Sequence, residues 1–414
     1  MPTDYLSLLG REPAHVARPG SIEEVAALVA DADRNDRAVI PWGGGTGQTY
    51  GYLPVRADIV LDLSARLNRV VAHEPGDLTV TVQAGASLAD VQKVLARAGQ
   101  FLPLDPPGAL DGTATVGGIL ATNAFGPSRA GYGTARDWLI GLTVIDAAGR
   151  VVKGGGKVVK NVTGYDLPKL HVGALGTLGV IVEATFKVAP VPETSLALVF
   201  RLPAPSDATA VFLQDLHAGP HPPALSVLHS GTLAQFAPPA PGECYLFVVF
   251  HGMIEVVRAA RNHANDSAAV HGFAPASTLP PHLEKSLLAA DAPAGSSRLR
   301  ARLSGPPARA YFQHDALRAS PLWEWVRTYP GTGDTEAALK MGEDPDAART
   351  LLRAVAEVHH AHLALLKASP ALRNGAAEDT LWWPRPPSFP LMQRLKETLD
   401  PNNTLNPGRF VGRI

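Results

Sequence analysis

A chain of 414 residues is longer than one hydrophobic core organises, so two or three domains are expected. Apolar residues make up 46% and charged residues 18%, which provides a buried core and excludes global disorder. Lys plus Arg (37) and Asp plus Glu (38) nearly cancel, so the basic footprint of a nucleic-acid binder is missing and no nucleic-acid partner is expected.

The opening "MPTDYLSLLGREPAHVARPG" has no basic start followed by an apolar core. No run approaches the ~18 apolar residues of a membrane span, so no transmembrane segment is expected and a cytoplasmic protein is. Ser21 with Glu24 fits a capping box and opens "IEEVAALVADA", whose apolar residues have helical spacing. "RAVIPW" reads as a short buried strand that runs directly into "GGGTG". "IVLDL", "LNRVVAHEP" and "LTVTVQAG" follow, the last with strand-like alternation. Ser87 and Asp90 open a second helix, "LADVQKVLARAG", which Gly99 closes. These strands read as paired rather than strictly wound by crossover helices.

From Pro103 to Gly179 the chain is denser in glycine and small residues than turns alone require. Prolines in "APVPETS", Ala189 to Ser195, mark a boundary. Beyond it, strand-like "LALVFRL" and "CYLFVVFHG" alternate with "EVVRAARNHAND" and "DAARTLLRAVAEVHHAHLALL", which read as helices of a second α+β domain. The helix "PLMQRLKETLD" leads into the compact, turn-rich "PNNTLNPGRFVGRI". The predicted division is 1–190, 191–385 and 386–414, with the last segment returning to the first domain.

The glycines after the first short strand carry the first chemical signal. Without a Cβ to block close approach, successive backbone N–H groups converge on an anion, typically phosphate. No Gly-Lys-Ser/Thr follows, and the spacing is not G-x-G-x-x-G, so neither a Walker loop nor a dinucleotide-fold fingerprint is present. A plain tight turn remains the alternative. The second signal is "TATVGGILATNAFG", Thr113 to Gly126, where small residues, hydroxyls and an amide suit a flat ring system. Two such patches suit the two ends of one extended ligand, such as a dinucleotide.

In order and spacing, "PWGGGTG", "TATVGGILATNAFG", "YGTARDWLIGLTVIDAAGRVV", "KNVTGYDLPKLHVGALGTLGVI" and "LDPNNTLNPGRF" resemble the PCMH-type FAD-binding domain of the vanillyl-alcohol-oxidase superfamily. Within it, "HEPGDLTVTVQAGASL", "GQFLPLDPP" and "VVKNVTGYDL" are most similar to the FAD-binding E subunits of glycolate oxidase complexes, better called glycolate dehydrogenases. The resemblance is close over 15–190 and good over the last twenty-five residues, and it fades between them. It implies an α+β fold: a PCMH-type FAD-binding domain of two α/β subdomains, plus an α+β cap domain with an antiparallel sheet.

By the same resemblance, Pro41, Gly43, Gly44, Gly45, Thr46 and Gly47 form the pyrophosphate loop. Thr115, Gly117, Gly118, Ala121, Thr122 and Asn123 line the flavin and its ribityl arm. Gly179, Val180 and Ile181 bond the adenine edge, and Asn406 with Pro407 and Gly408 closes the pocket. Tyr132, Arg136 and Asp137 brace the second loop, by cofactor contact or as a structural ion pair.

The chain departs from that pattern in two places. Many superfamily members attach flavin through a histidine after the glycine pair; Gly45 and Thr46 stand there, so FAD is expected to be noncovalent. The histidine-glycine-rich metal motif of the D-2-hydroxyacid dehydrogenases is missing from the middle domain, so no metal is expected. The remaining candidates for chemistry are His251 at a strand end, and Lys160 and Tyr165, with Lys157, beside the "GYDL" turn. His359, His360 and His362 read as a solvated helical face, because their spacing lacks the i, i+4 pair that metal binding on a helix favours. Arg300 and Arg302 alternate on a strand, either meeting a carboxylate or facing solvent. Cys244, the single cysteine, reads as an inert core thiol and cannot alone build a four-thiolate cluster.

The resemblance implies an FAD-binding subunit that oxidises a small 2-hydroxy acid, glycolate, to glyoxylate. Its partners would be a sister flavoprotein subunit and an iron–sulfur subunit, with peripheral attachment at the inner membrane through them left open. A self-sufficient D-lactate or other 2-hydroxyacid dehydrogenase, and a flavin-free assembly subunit, are the alternatives.

Overall fold

A computed structural model describes residues 4–109, 111–156, 166–203, 206–230, 243–280, 299–374 and 381–414. Helix α1 (Tyr5–Leu9) precedes β1 (His15–Ala17) and helix α2 (Ile22–Arg34). The Ser21 hydroxyl accepts from Glu24 N at 3.2 Å, while the Glu24 carboxylate accepts from Gly20 N at 2.7 Å. The reciprocal arm of the capping box therefore reaches one residue further back than the motif prescribes.

β2 (Val39–Trp42) and β3 (Ile59–Asp62) complete a three-stranded parallel sheet in the order β1-β3-β2. Next come β4 (Val70–Glu74), β5 (Thr79–Gln83) and helix α3 (Leu88–Ala96). α3 is capped by Ser87, and Gly99 beyond its end adopts φ +64° to turn the chain into β6 (Gln100–Phe101). Helix α4 (Val116–Thr122) is followed by β7 (Leu139–Ile145), β8 (Val151–Gly155) and β9 (Val180–Lys187). These give an antiparallel sheet in the order β4-β5-β9-β7-β8. Its inner residues Val80, Val82, Val182, Ala184 and Phe186 share one core with Val25 and Val29 of α2, Leu88, Val91 and Leu95 of α3, and Ile119 and Leu120 of α4.

β10 (Ala189–Pro190) pairs with β6. The remaining strands are β11 (Thr194–Leu202), β12 (Leu225–Ser230), β13 (Cys244–Gly252), β14 (Ser277–Thr278), β15 (Arg300–Ser304), β16 (Trp323–Tyr329), β17 (Asp334–Leu339), β18 (His362–Lys367) and β19 (Trp382–Trp383). They form one nine-stranded sheet in the order β14-β11-β13-β12-β16-β17-β15-β18-β19. The helices Asp207–Ala218 and Ile254–Val270 supply apolar residues to one core cluster on this sheet, and the helix Pro345–Val358 supplies another. Elsewhere on the sheet Val227 and Tyr329 pack on Phe125, which follows α4.

One expected element is divided. The helix read through "DAARTLLRAVAEVHHAHLALL" stops at Val358, with His359 at its C-cap and His360 left-handed at φ +53°. From His362 the chain is a strand, because Leu363 and Leu365 alternate into the core while β18 pairs with β15. The three histidines therefore do not share a helical face. His359 is buried and His362 is exposed on the strand.

The helix Phe389–Leu399 returns the chain to the first parallel sheet. Val39 N donates to Thr404 O and Asn406 N to Val39 O, at 2.8 and 2.9 Å, so the 404–406 segment lies beside β2. A buried Lys396 fixes this return by donating to Thr177 O, Leu405 O and the Asp400 carboxylate.

Candidate functional site

The chain leaves β2 at Trp42 and enters Gly43–Gly47 directly. Gly45 adopts φ +77°, a backbone conformation that a side chain disfavours. A Cβ on Gly43 would land on the Thr115 hydroxyl, and one on Gly44 on the Thr113 carbonyl oxygen. Glycine is thus required here for two chain segments to lie against each other. The loop then continues as a short turn, Thr46–Thr49.

Thr115 is the N-cap of α4 and accepts from Gly118 N at 3.3 Å; Thr122 Oγ1 donates to Gly118 O at 2.7 Å. These hydroxyls hold the helix start against the glycine loop. Gly117 abuts Ala84 at the end of β5, where a Cβ would come within 2.9 Å of the alanine side chain.

Between these elements lies a cleft that is continuous with solvent. Pro41, Gly43, Gly44, Gly45, Thr46 and Gly47 form one wall. Thr115, Gly117, Gly118, Ala121 and Thr122 form another, and Gly179, Ile181 and Asn406 complete the lining. The two glycine-rich patches thus meet in one cleft although some seventy positions separate them in the chain.

Four expected residues, Asn123, Val180, Pro407 and Gly408, are not in its lining. Val180 is fully buried in β9, and Asn123 is the left-handed C-cap of α4. Sequence reasoning missed Gln48, Leu63, Ala84, Leu175, Gly176 and Arg409, which also line the cleft. The doublet "LG" at 175–176 repeats the small-residue signature, whereas nothing local marks Arg409 or Gln48.

The polar groups of the cleft suit an anion and a ligand carrying N–H or O–H groups. Among the described residues, no acceptor meets the backbone N–H groups of Gly43, Gly44, Gly45, Thr46 or Gly47. Consecutive unpartnered N–H groups in a turn form an anion cradle. Asn406 donates through Nδ2 to Leu175 O at 2.6 Å, while its Oδ1 is buried without a donor among the described residues. Gln48 Nε2 donates to Pro41 O at 3.1 Å, and its Oε1 is likewise buried and unmatched. A dinucleotide diphosphate fits the cradle, and ring or ribityl donors fit the two amide oxygens.

The bracing residues take different parts from those expected. Asp137 accepts from Thr134 N at 2.7 Å as the N3 arm of a capping box, and it makes no ion pair with Arg136 among the described residues. The Tyr132 hydroxyl meets His251 Nδ1 at 2.9 Å, and its ring packs edge-on against Phe101. His251 therefore sits at the seam between the first domain and the nine-stranded sheet, and it does not line the cleft. Lys157, Lys160 and Tyr165 lie outside the described residues. Cys244 is buried in β13, and burial pushes its thiol up to about 12. No group of three or more His, Cys, Asp and Glu side chains suits a metal ion among the described residues.

A second polar cluster lies on the nine-stranded sheet. In register, His229, Arg327, Glu336 and Arg302 stand opposite one another across β12, β16, β17 and β15. Fully buried Glu336 accepts from Arg300 at 2.7 Å, from Arg327 at 2.9 Å, and twice from Arg302 at 2.9 and 2.6 Å. Although burial opposes its charge, the three guanidiniums hold its carboxyl well below the usual range. Arg300 and Arg302 thus meet a carboxylate, one supplied by the protein itself. The Arg302 guanidinium also lies 3.9 Å from the Phe125 ring centroid, and Arg129, 4.1 Å from the same ring, pairs with buried Asp334 at 2.7 Å. Burial raises the Tyr50 hydroxyl, opposed by its bond to Trp382 and by the charge of Arg302. The cluster therefore reaches the segment that follows the glycine loop.

Parts of the chain resemble known proteins. Residues 13–155 match the family model for the FAD binding domain, and residues 384–410 match that for the C-terminal domain of FAD linked oxidases. The chain is 39% identical over 191 residues to D-2-hydroxyglutarate dehydrogenase of Xanthomonas citri pv. viticola, covering 46% of this chain and 40% of that protein. It is 33% identical over 252 residues to glycolate oxidase subunit GlcD of Bacillus subtilis, covering 59% and 53%. Over 137 residues it is 42% identical to glycolate oxidase subunit GlcE of Escherichia coli, covering 33% and 39%. The chain thus spans about half or less of the length of these relatives. Among solved structures, 4-ethylphenol oxidase from Gulosibacter chungangensis superposes with a TM-score of 0.70 at 17% identity, covering 98% of this chain and 91% of that one. An alkyldihydroxyacetonephosphate synthase gives 0.71 at 20%, covering 95% and 77%; both show a shared fold.

Proposed function

With a PCMH-type FAD-binding fold and FAD as cofactor for its premise, we propose that the chain is an oxidoreductase acting on a small 2-hydroxy acid, as the FAD-binding subunit of a glycolate dehydrogenase complex. The observation that carries this reading is the cleft itself: among the described residues, five N–H groups on one wall and two amide oxygens in its lining have no partner. FAD, when bound, supplies the acceptor for the two electrons that leave the hydroxy acid.

In this reading Gly43 to Gly47 hold the diphosphate. Thr115, Gly117, Gly118, Ala121 and Thr122 line the flavin and its ribityl arm, Gly179 and Ile181 the adenine, and Asn406 closes the pocket. Binding is noncovalent, because Gly45 and Thr46 offer no nucleophilic ring nitrogen at the attachment position. Arg300, Arg302 and Arg327 present three positive charges to the single carboxylate of Glu336. Arg300 and Arg302 are partly exposed, so a substrate carboxylate is a natural second anion there, oriented by guanidinium donors.

Support for partners comes from the two relatives named as glycolate oxidase subunits. A sister flavoprotein subunit and an iron–sulfur subunit would complete the electron path.

The test is the visible spectrum of the purified chain during anaerobic addition of glycolate and then D-lactate. A yellow protein that stays oxidised alone and bleaches with glycolate once its partners are present supports the subunit reading. Bleaching of the lone chain by either acid replaces it with a self-sufficient dehydrogenase. A colourless protein that takes up no added FAD removes the proposal.

A further inference from the structure

Among the described residues, the two largest fully buried side chains are both arginines, Arg373 and Arg409, at 1% and 2% exposure. Arg373 donates to Gly51 O, Leu8 O and Gln48 O, each at 2.8 Å, and to Tyr52 O at 3.3 Å. Arg409 donates to Tyr50 O at 2.9 Å and through both terminal nitrogens to Gln48 O at 3.3 Å. Every one of these acceptors is a neutral carbonyl. Among the described residues neither guanidinium pairs with a carboxylate, and the nearby charge acting on Arg409 is that of Arg373.

Two like charges buried together are costly, because desolvation and mutual repulsion act in the same direction. Elsewhere among the described residues, buried charges have opposite partners, as Glu336 and Lys396 do. The exception lies immediately behind the glycine loop. Gln48 O, on which both arginines converge, belongs to the turn that follows Gly43–Gly45, and Arg409 lines the cleft with its Nε buried and unpartnered. The loop is thus a short layer of peptide groups, with unpartnered N–H groups among its cleft residues and its following carbonyls clamped by two cations. A dianion in the cradle supplies the missing counter-charge.

We infer that Arg373 and Arg409 are positioning residues for the dinucleotide diphosphate: they fix the segment that follows the glycine loop through the carbonyls of Gln48, Tyr50, Gly51 and Tyr52, and they neutralise the two phosphate charges from behind the loop. The inference rests on the reading that this cleft holds FAD. It predicts that the full-length apoprotein carries an electrostatic defect which the diphosphate relieves and the isoalloxazine ring does not.

The test compares FAD with riboflavin, which has no phosphate, by flavin fluorescence quenching on the full-length apoprotein. Arg409→Gln is expected to weaken FAD at least tenfold and riboflavin less than twofold, with Arg409→Lys recovering most of the loss. Arg373→Gln should act in the same direction. The thermal midpoint of the Arg409→Gln apoprotein should match or exceed that of the unaltered apoprotein, whereas its FAD-bound form should melt lower than the unaltered one. Equal losses for FAD and riboflavin, or FAD binding that ignores both substitutions, overturn the inference while leaving the FAD site standing. An unaltered chain that binds neither flavin overturns both readings. If the variants do not fold, inorganic pyrophosphate on the unaltered apoprotein decides: a rise in thermal midpoint supports the inference, and no rise at millimolar concentration overturns it.

Discussion

Gly44 packs with its α-carbon facing the carbonyl oxygen of Thr113, so closely that no side chain fits between the glycine loop and the segment leading into α4. The two walls of the cleft touch at this point. Gly44→Ala is therefore expected to push the loop off Thr113 and scatter its N–H groups, while the core beneath is unchanged. The FAD content of the purified protein should fall at least tenfold, with the far-ultraviolet circular dichroism retained. A variant that keeps stoichiometric FAD would show that the contact has slack.

Glu336 holds three arginines on a sheet face where it is itself fully buried. Glu336→Gln leaves those guanidiniums without a carboxylate, and removing one partner of a buried ionic cluster costs about 3–5 kcal/mol. Urea unfolding should register a loss of that order. Adding Arg327→Met should recover part of it, since one unpaired charge then disappears.

Lys396 and Asp400 form a buried ion pair one helical turn apart, and Asp400 also accepts from Thr404 N and Leu405 N at 2.8 Å. This pair holds the segment that carries Asn406 into the cleft. Lys396→Met is expected to destabilise the protein by about 3 kcal/mol and to weaken FAD binding at the same time. A stability loss with unchanged FAD affinity would mean that Asn406 is held from elsewhere.

Burial pushes His229 and His314 down to about 3 and His171 to about 4, below the ~6.5 of an unfolded histidine. Between those values the unfolded chain binds more protons than the folded one. Stability is therefore full above about pH 6.5 and falls as the pH drops through that window, by about 1 kcal/mol per pH unit for each histidine. Unfolding midpoints between pH 7 and pH 5, above the range where carboxylates titrate, should show the decline. His314→Gln should flatten it.

Cys244, buried in β13 with its thiol pushed up to about 12, should react with a thiol reagent only at the rate of unfolding. Prompt modification of the folded protein would contradict its burial.

Much of the cleft was legible because glycine and threonine carry their signal locally. "GGGTG" after an apolar strand and "TATVGG" before a helix each point to close backbone approach, and the structure brings the two together. Gln48 and Arg409 were illegible for the opposite reason, since their roles exist only once 361 positions of chain have folded between them. The helix read across His359 to Leu365 failed because an apolar run continues through the break, and left-handed His360 has no sequence mark as strong as glycine. Glu336 was similarly hidden: nothing local in "DTEAAL" marks it, and its role exists only once β15 and β16 bring arginines to both sides.

Lys396, Asp400 and the 404–406 segment bear on the timing of biosynthesis as well as on packing. The edge of β2 gains its neighbour, and the cleft its last wall, from residues translated more than 350 positions after Val39. While the ribosome is still making the nine-stranded sheet, the glycine loop stands half-built, with an exposed strand edge beside it. Cofactor capture should therefore be one of the last events in maturation, and an interrupted translation product would emerge colourless and prone to edge-to-edge association even if its first 190 residues had folded.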